Sequence, residues 1–139
     1  MLKESYNRPE IVELLREHGI SPTHQRLEIA FALFARQEHL SADQLMAVVN
    51  ERYSEASKAT VYNTLKLFLE KGLIREVIVD PSRVFYDPNT EPHHHFFNVV
   101  SGQLTDIEAE SISLCALPAL PEGMVTEGVD VIVRIRPAP

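Results

Sequence analysis

Three consecutive histidines, His93, His94 and His95, form the densest group of potential metal ligands in the chain. They precede β-prone residues, and side chains alternate between the two faces of a strand. We therefore expect His93 and His95 on one face and His94 on the other. Because successive strand residues rise by about 3.3 Å, the two imidazoles on the shared face lie close enough to bind one cation. The pattern predicts a metal site at His93 and His95.

Residues from other segments can complete this site. Asp87 and Asp106 offer carboxylate oxygens, and His39, at the turn before the third predicted helix, offers another imidazole nitrogen. Three nitrogen and two oxygen donors suit Fe²⁺, Mn²⁺ or Zn²⁺. A plainer interpretation stays open for each residue type. His39 can belong to a helix-cap region, Asp87 can form a turn, and the histidine triplet can be a solvated strand edge.

The fourth predicted helix carries polar residues that suit contact with double-stranded DNA: Ser57, Lys58, Thr60, Tyr62, Asn63 and Lys66. Lys58, Tyr62 and Lys66 are spaced by four, so they form one row on a helix. Hydroxyls at the helix start favour phosphate, and the Asn63 amide suits an adenine edge. We interpret this as a recognition helix for the major groove. The alternative is a solvated helix face with a chance tyrosine.

The elements that must position these residues follow from hydrophobic spacing and end signals. Four helices are predicted: one ending near Gly19, one capped by Ser21, one starting at the Ser41–Gln44 capping box, and one from Ser57 to Gly72. Two β-prone runs, 74–79 and 83–87, follow around an Asp-Pro-Ser turn. Short helices followed by a hairpin predict a winged helix-turn-helix.

The second half has a different pattern. Two further strands are predicted over 95–100 and 103–107, then a short helix over 108–117. In the last strand, Val129, Val131, Val133 and Ile135 alternate with polar residues, which is typical of a half-buried strand. The fold class is therefore α/β (α+β), with an N-terminal winged helix-turn-helix and a small C-terminal α/β domain.

Composition narrows the class of protein. The chain has 139 residues, 45% of them hydrophobic, and one cysteine, which leaves no intrachain disulfide and no all-thiolate zinc site. No apolar run can span a bilayer, so we expect a cytoplasmic protein without a membrane partner. The net charge of −7 argues against indiscriminate nucleic-acid coating. However, residues 1–80 hold 10 of the 13 basic side chains, which permits local basic surfaces there.

Six stretches resemble the ferric uptake regulator (Fur) superfamily over nearly the whole chain: 21–27, 39–45, 59–65, 72–74, 86–96 and 102–107. The resemblance implies a homodimeric transcription regulator with a winged-helix DNA-binding domain over 1–87 and a dimerisation and metal-sensing domain over 88–139. It places the regulatory ligands of the peroxide regulator (PerR) branch at His39, Asp87, His93, His95 and Asp106. It also places the family's base-contacting tyrosine at Tyr62.

Two features of the resemblance narrow the branch. Asn98 and Ser101 stand where most members have a CxxC pair, which implies no structural zinc. The histidine triplet and the C-terminal sequence are similar to the cysteine-poor iron response regulators (Irr), a branch known for haem sensing, so His94 becomes a candidate haem or second-metal ligand. An aspartate at position 106 is linked in the peroxide-sensing branch to oxidation of a ligand histidine.

We therefore expect a DNA-binding transcription regulator, either a repressor or an activator, that senses iron or manganese, and oxidant, through a His/Asp site, with Zn²⁺ as an in vitro substitute. Apolar packing of the last strand is expected to hold the dimer. A haem-responsive regulator using the histidine triplet is the alternative. A non-haem iron enzyme is disfavoured because no histidine follows His95 to supply a downstream ligand. The protein is thus expected not to be an enzyme.

Overall fold

The computed structural model describes residues 5–35, 39–51 and 56–139. The chain forms two compact units, Met1–Thr90 and Glu91–Pro139. The first contains α1 (Arg8–Glu17), α2 (His24–Ala35), α3 (Ala42–Asn50), α4 (Lys58–Glu70), β1 (Arg75–Asp80) and β2 (Arg83–Asp87). The second contains β3 (His93–Asn98), β4 (Leu104–Glu108), a 3₁₀ turn (Ala109–Ser111) and β5 (Ile132–Ile135). No described helix is long and apolar enough to cross a membrane.

Side-chain caps start the helices of the first unit. Ser41 and Gln44 form the predicted capping box, in which each side chain accepts a backbone N–H of the other. Ser57 caps α4 as predicted, by accepting the Thr60 N–H. The prediction that Ser21 caps the second helix is wrong. Thr23 Oγ1 accepts from the Arg26 N–H instead, while the Ser21 carbonyl accepts from the Arg26 guanidinium.

The apolar stripes of the four helices meet in one core. Its fully buried side chains include Ile11, Leu15, Ile29, Leu33, Phe34, Leu45, Val61, Leu65 and Phe68. Burying a side chain of this size contributes roughly 1.5–3 kcal/mol relative to exposure. The apolar stripe of α4 packs into this core, so the opposite face of the helix lies at the surface.

A two-stranded antiparallel wing follows the helices. β1 and β2 pair from Arg75↔Asp87 to Asp80↔Arg83. In the turn, the Asp80 carboxylate accepts from the Ser82 N–H and hydroxyl, each at 2.8 Å. A single bridge, Leu40↔Tyr86, adds the segment before α3 to this wing. The first unit is thus a winged helix-turn-helix, as the sequence predicted.

The second unit is a three-stranded sheet with the order β4-β3-β5. β3 pairs antiparallel with β4 and parallel with β5. β3 begins at His93, two residues before the predicted start, because His93 pairs with Glu108. The last strand is shorter than predicted and begins at Ile132.

The predicted helix over 108–117 is wrong except for the 3₁₀ turn Ala109–Ser111. Ile112 already has an extended backbone, with φ −123° and ψ 125°. Pro118 disfavours helical geometry at Leu117, and Pro121 follows closely. The chain from 113 to 131 therefore connects β4 to β5 without regular structure.

Candidate metal centre and DNA interface

The first unit brings His39 and Asp87 together. Since Leu40 pairs antiparallel with Tyr86, the residue before Leu40 lies opposite the residue after Tyr86. His39 Nε2 lies 3.1 Å from Asp87 Oδ2, and the two side chains are 7% and 2% exposed. The other carboxylate oxygen, Oδ1, accepts from the Asn89 N–H at 2.9 Å. Asp87 is therefore both the turn former of the plainer interpretation and a partner of His39.

The second unit brings together His93, His95 and Asp106. His95 lies directly opposite Asp106 in the β3–β4 ladder, and His93 projects from the same face of β3. The two imidazole centroids are 4.5 Å apart, and each Nε2 lies 3.4 Å from Asp106 Oδ1. One ligand atom from each residue lies within 4.8 Å of those of the other two. The shared face predicted from strand alternation is thus present, with its two histidines buried.

A backbone carbonyl sets the ring orientation of His93. Its Nδ1 lies 2.6 Å from the Glu91 carbonyl oxygen, which can only accept, so Nδ1 carries the proton. The neutral ring then has its lone pair on Nε2, which faces Asp106. Metal-binding histidines are commonly oriented in this way by a carbonyl on the other ring nitrogen. Imidazole nitrogens and carboxylate oxygens without a thiolate fit Fe²⁺, Mn²⁺ or Zn²⁺.

His94 is engaged differently. Its Nδ1 accepts a hydrogen bond from the Val131 N–H at 3.0 Å. A neutral imidazole that accepts at Nδ1 carries its proton on Nε2, so it offers no free lone pair to a metal or haem. This contact disfavours the alternative of a haem-responsive regulator that uses His94.

Asn98 and Ser101, the positions at which the resemblance places a CxxC pair, lie in a hydrogen-bonded hairpin turn. Asn98 Oδ1 accepts from the N–H groups of Val100 and Ser101 at 2.9 and 3.0 Å. Ser101 Oγ accepts from the Gln103 N–H, and Gly102 adopts φ 76° in the same turn. Side-chain hydrogen bonds thus shape the turn between β3 and β4.

The six residues proposed for DNA contact run from Ser57, the N-cap of α4, to Lys66 within that helix. Lys58, Tyr62, Asn63 and Lys66 are exposed, and Lys58 Nζ lies 6.0 Å from the centre of the Tyr62 ring. Ser57 and Thr60 are joined at the helix start by a hydroxyl contact of 3.0 Å. The predicted cation–aromatic row is therefore at the surface, on the side of α4 away from the core.

A groove of about 570 Å³ lies between this helix and the start of α2. Its walls are Thr23, His24, Gln25, Arg26, Thr60, Asn63, Thr64 and Leu67. Sequence reasoning assigned no site role to the α2 residues. These residues lie at the N-terminus of α2, next to the proposed recognition helix. The spacing of residues within α2 could not predict this position, because it depends on how α2 packs against α4.

The fold is a winged helix-turn-helix followed by a small sheet, and the sheet carries clustered His and Asp side chains. This combination is typical of a DNA-binding protein with a metal site. Residues 17–131 match the ferric uptake regulator family. The match covers more than half of the chain, and the chain belongs to this family.

Particular relatives agree with this assignment. The peroxide-responsive repressor PerR of Staphylococcus epidermidis is 30% identical over 97 residues, covering 70% of this chain and 65% of that protein. A zinc-bound manganese uptake regulator has a TM-score of 0.70 at 22% identity, covering 92% of this chain and 98% of that one. A ferric uptake regulator from Pseudomonas aeruginosa with manganese has a TM-score of 0.66 at 22% identity, covering 91% and 97%. The two structural likenesses show the fold.

Proposed function

We propose that the protein is a cytoplasmic, homodimeric transcription repressor whose affinity for a double-stranded DNA operator depends on Fe²⁺ or Mn²⁺. His39 and Asp87 of the first unit, together with His93, His95 and Asp106 of the second, are the proposed ligands. Zn²⁺ suits the same donors in vitro. Membership of the ferric uptake regulator family supports a regulatory role rather than an enzymatic one.

The observation that carries this proposal is the division of the donors. The first unit pairs two buried donor residues, and the second clusters three. The three donors of the second unit could hold a cation only with water completing its coordination, whereas the two sets together provide five protein ligands. We infer that both sets bind the same cation.

This shared site gives a physical basis for regulation. A bound cation would supply positive charge and coordination bonds that offset the desolvation of the buried Asp87 carboxylate. With both donor sets engaged, the two units have fewer relative arrangements open to them. A dimer must place its two α4 helices about 34 Å apart to read successive major grooves on one side of DNA. Metal affinity and operator affinity are therefore thermodynamically linked.

We also propose that oxidant is a second signal. This is supported by the peroxide-responsive repressor among the relatives. In addition, His93 and His95 both lie against the carboxylate of Asp106. Peroxide treatment of the Fe²⁺-loaded protein is expected to add oxygen to His39 or His93, as measured by peptide mass spectrometry. The Mn²⁺-loaded protein is the control, and equal oxidation of both forms would contradict this part of the proposal.

The main test compares the wild type with His93→Ala and His95→Ala. Mn²⁺ binding is measured by electron paramagnetic resonance, and operator binding by gel shift with and without Mn²⁺. We expect Mn²⁺ to strengthen operator binding at least tenfold in the wild type and not in the variants. His18→Ala is the matched control, because the His18 ring contacts the Leu14 carbonyl within α1. Wild-type operator affinity that is the same with and without Mn²⁺ would overturn the proposal.

A further inference from the structure

The segment 113–130, which we name the arm, connects the 3₁₀ turn after β4 to the approach of β5. Every residue in it is exposed. Its one turn is at Gly123, where φ is 80° and the Met124 N–H donates to the Pro121 carbonyl at 3.1 Å. The arm thus leaves the sheet after β4 and returns to it without packing on its own unit.

The arm is nevertheless rich in large apolar side chains. Those exposed by 41–89% are Leu114, Leu117, Leu120, Met124, Val125 and Val129. Single exposed apolar residues are ordinary on protein surfaces, whereas a concentration of them marks a surface that is covered in the functional state. At roughly 25 cal/mol per Å² of apolar area, covering these side chains is strongly favourable.

The same unit leaves a second apolar surface uncovered. Phe96 pairs with Val133 in the parallel ladder, and Ile135 lies two residues further along, so all three side chains project from one sheet face. They are 37%, 37% and 38% exposed. This face is opposite to the one that carries His93 and His95. The outer edge of β5 also has no strand partner among the described residues.

The arm and the end of β5 carry opposite charges. Arg134 and Arg136, on and just after β5, are the only basic residues of the second unit. The arm carries three acidic residues, Glu122, Glu127 and Asp130. Within the described part of the chain, no ion pair is formed by Glu122, Glu127, Arg134 or Arg136. The arm and the end of β5 therefore have complementary charge that a single chain leaves unused.

We propose that the arm is exchanged between two copies of this chain. The arm of one copy packs on the Phe96, Val133 and Ile135 face of the other, with Glu122 and Glu127 near Arg134 and Arg136 of that copy. The contact occurs twice in a two-fold dimer, because each copy has both surfaces. The proposal rests on the homodimer of the proposed function and specifies how its two copies hold each other.

The geometry at the end of the arm favours a second copy over contact within one chain. Val131 is tied to β3 from both sides: its carbonyl accepts from the His95 N–H at 3.1 Å, and its N–H donates to the His94 ring. With its C-terminal end fixed at the sheet, the arm still buries none of its residues on its own unit. A second copy of the chain can cover both the arm and the apolar sheet face in one contact, because it carries the same two surfaces.

Charge reversal with mixing tests the exchange. One variant carries Arg134→Glu and Arg136→Glu, and the other carries Glu122→Arg and Glu127→Arg. Each variant alone places like charges at both contacts, so we expect dimer dissociation constants raised at least fivefold in sedimentation velocity at low salt. An equimolar mixture restores opposite charges at both contacts and should return to within about twofold of the wild type. The differences should shrink in high salt.

An apolar pair of variants tests the packing separately. Val125, 89% exposed, is changed to aspartate, with Val100→Asp as the matched control, because Val100 is 72% exposed in the β3–β4 turn. We expect Val125→Asp to weaken the dimer and Val100→Asp to leave it unchanged, with equal circular dichroism for both.

The outcomes distinguish the exchange from the dimer itself. A wild-type chain that stays monomeric at all concentrations overturns both. A wild-type dimer that none of the arm variants weakens overturns the exchange and leaves the dimer intact. Variants that weaken the dimer but are not rescued by mixing overturn the exchange as well, since the charged contact then lies within one chain.

Discussion

The Nδ1 atom of His94 accepts a hydrogen bond from the Val131 N–H at 3.0 Å. His94 thus helps to hold the end of the arm on the sheet, although it stands between two proposed metal ligands in the sequence. Val131 lies just before β5, an edge strand whose one partner in the described chain is β3. Alternation along β3 therefore divides the histidine triplet between a metal-binding face and a structural face.

His94→Phe should loosen β5, because the Val131 N–H loses its acceptor. We expect faster hydrogen exchange at the Val131 amide and a free energy of unfolding lower by about 1–3 kcal/mol. The matched variant His94→Asn keeps an acceptor oxygen near the position of Nδ1 and should recover most of the protection. Mn²⁺ binding should stay within a few-fold of the wild type in both variants. A large loss of Mn²⁺ affinity in both would show that His94 is a ligand.

His39→Asn tests whether the first unit contributes to the cation site. If the two donor sets bind one cation, Mn²⁺ affinity should fall by roughly tenfold or more, since removing even an outer-shell partner of a ligand costs 10–100-fold. Isothermal titration calorimetry gives both affinity and stoichiometry. His18→Asn, at the C-cap of α1, is the control. Unchanged Mn²⁺ affinity in His39→Asn would indicate that the second unit binds the metal alone.

Lys66→Ala should weaken operator binding mainly through charge. Removing one phosphate contact is expected to reduce the slope of log affinity against log salt by about 1. Tyr62→Ala should instead lower affinity for the operator more than for random DNA, with little change in slope, because its proposed contact is to a base. Lys71→Ala, at the C-terminal end of α4, is the control. Fluorescence anisotropy at several salt concentrations measures all three.

Arg8 and Glu28 join α1 to α2 within the first unit. The guanidinium donates to both carboxylate oxygens, with Nη2 to Oε2 at 3.3 Å, and lies 4.7 Å from the centre of the Phe31 ring. Arg8→Ala leaves a buried carboxylate without this guanidinium, so we expect a free energy of unfolding lower by roughly 1–2 kcal/mol, reduced by the half-exposed position of the arginine. Urea unfolding measures the change. Arg8→Lys should restore only part of it, because lysine lacks the planar fork.

Burial raises the pKa of the Tyr86 hydroxyl above its usual value, and the nearby Glu76 carboxylate adds to the shift. A raised pKa means that the folded state favours the neutral phenol. This contribution to stability is complete below about pH 10, the ordinary tyrosine value, and is lost as pH rises through the folded pKa. Above pH 10, the wild type should therefore lose stability more steeply than Tyr86→Phe. The difference between their alkaline absorbance titrations isolates Tyr86, and a midpoint at or below that of free tyrosine would contradict the assignment.

Local signals were sufficient for much of the fold. The Ser41 and Ser57 caps, the apolar stripe of α4 and the bounds of β2 depend on neighbouring residues, and each was predicted from the sequence. The shared face of His93 and His95 likewise follows from strand alternation.

Features that depend on distant contacts were predicted less well. His39 meets Asp87 only because Leu40 bridges Tyr86, a pairing of two residues with no signal in either segment. A helix was predicted over 108–117, into the start of the arm, but the backbone is already extended at Ile112, and Pro118 disfavours helical geometry at Leu117. The start of β3 was missed because cross-strand pairing with Glu108, rather than propensity, extends it to His93.

The turn from Asn98 to Gln103 is shaped by hydrogen bonds and not by a bound metal, unlike the proposed His/Asp site of the same unit. The side-chain oxygens of Asn98 and Ser101 accept the backbone N–H groups of this turn, so its shape does not require a metal ion. A chelator added to the purified protein would thus act at this corner as neither a denaturant nor a competitor. In a cell short of transition metals, this turn would therefore keep its shape.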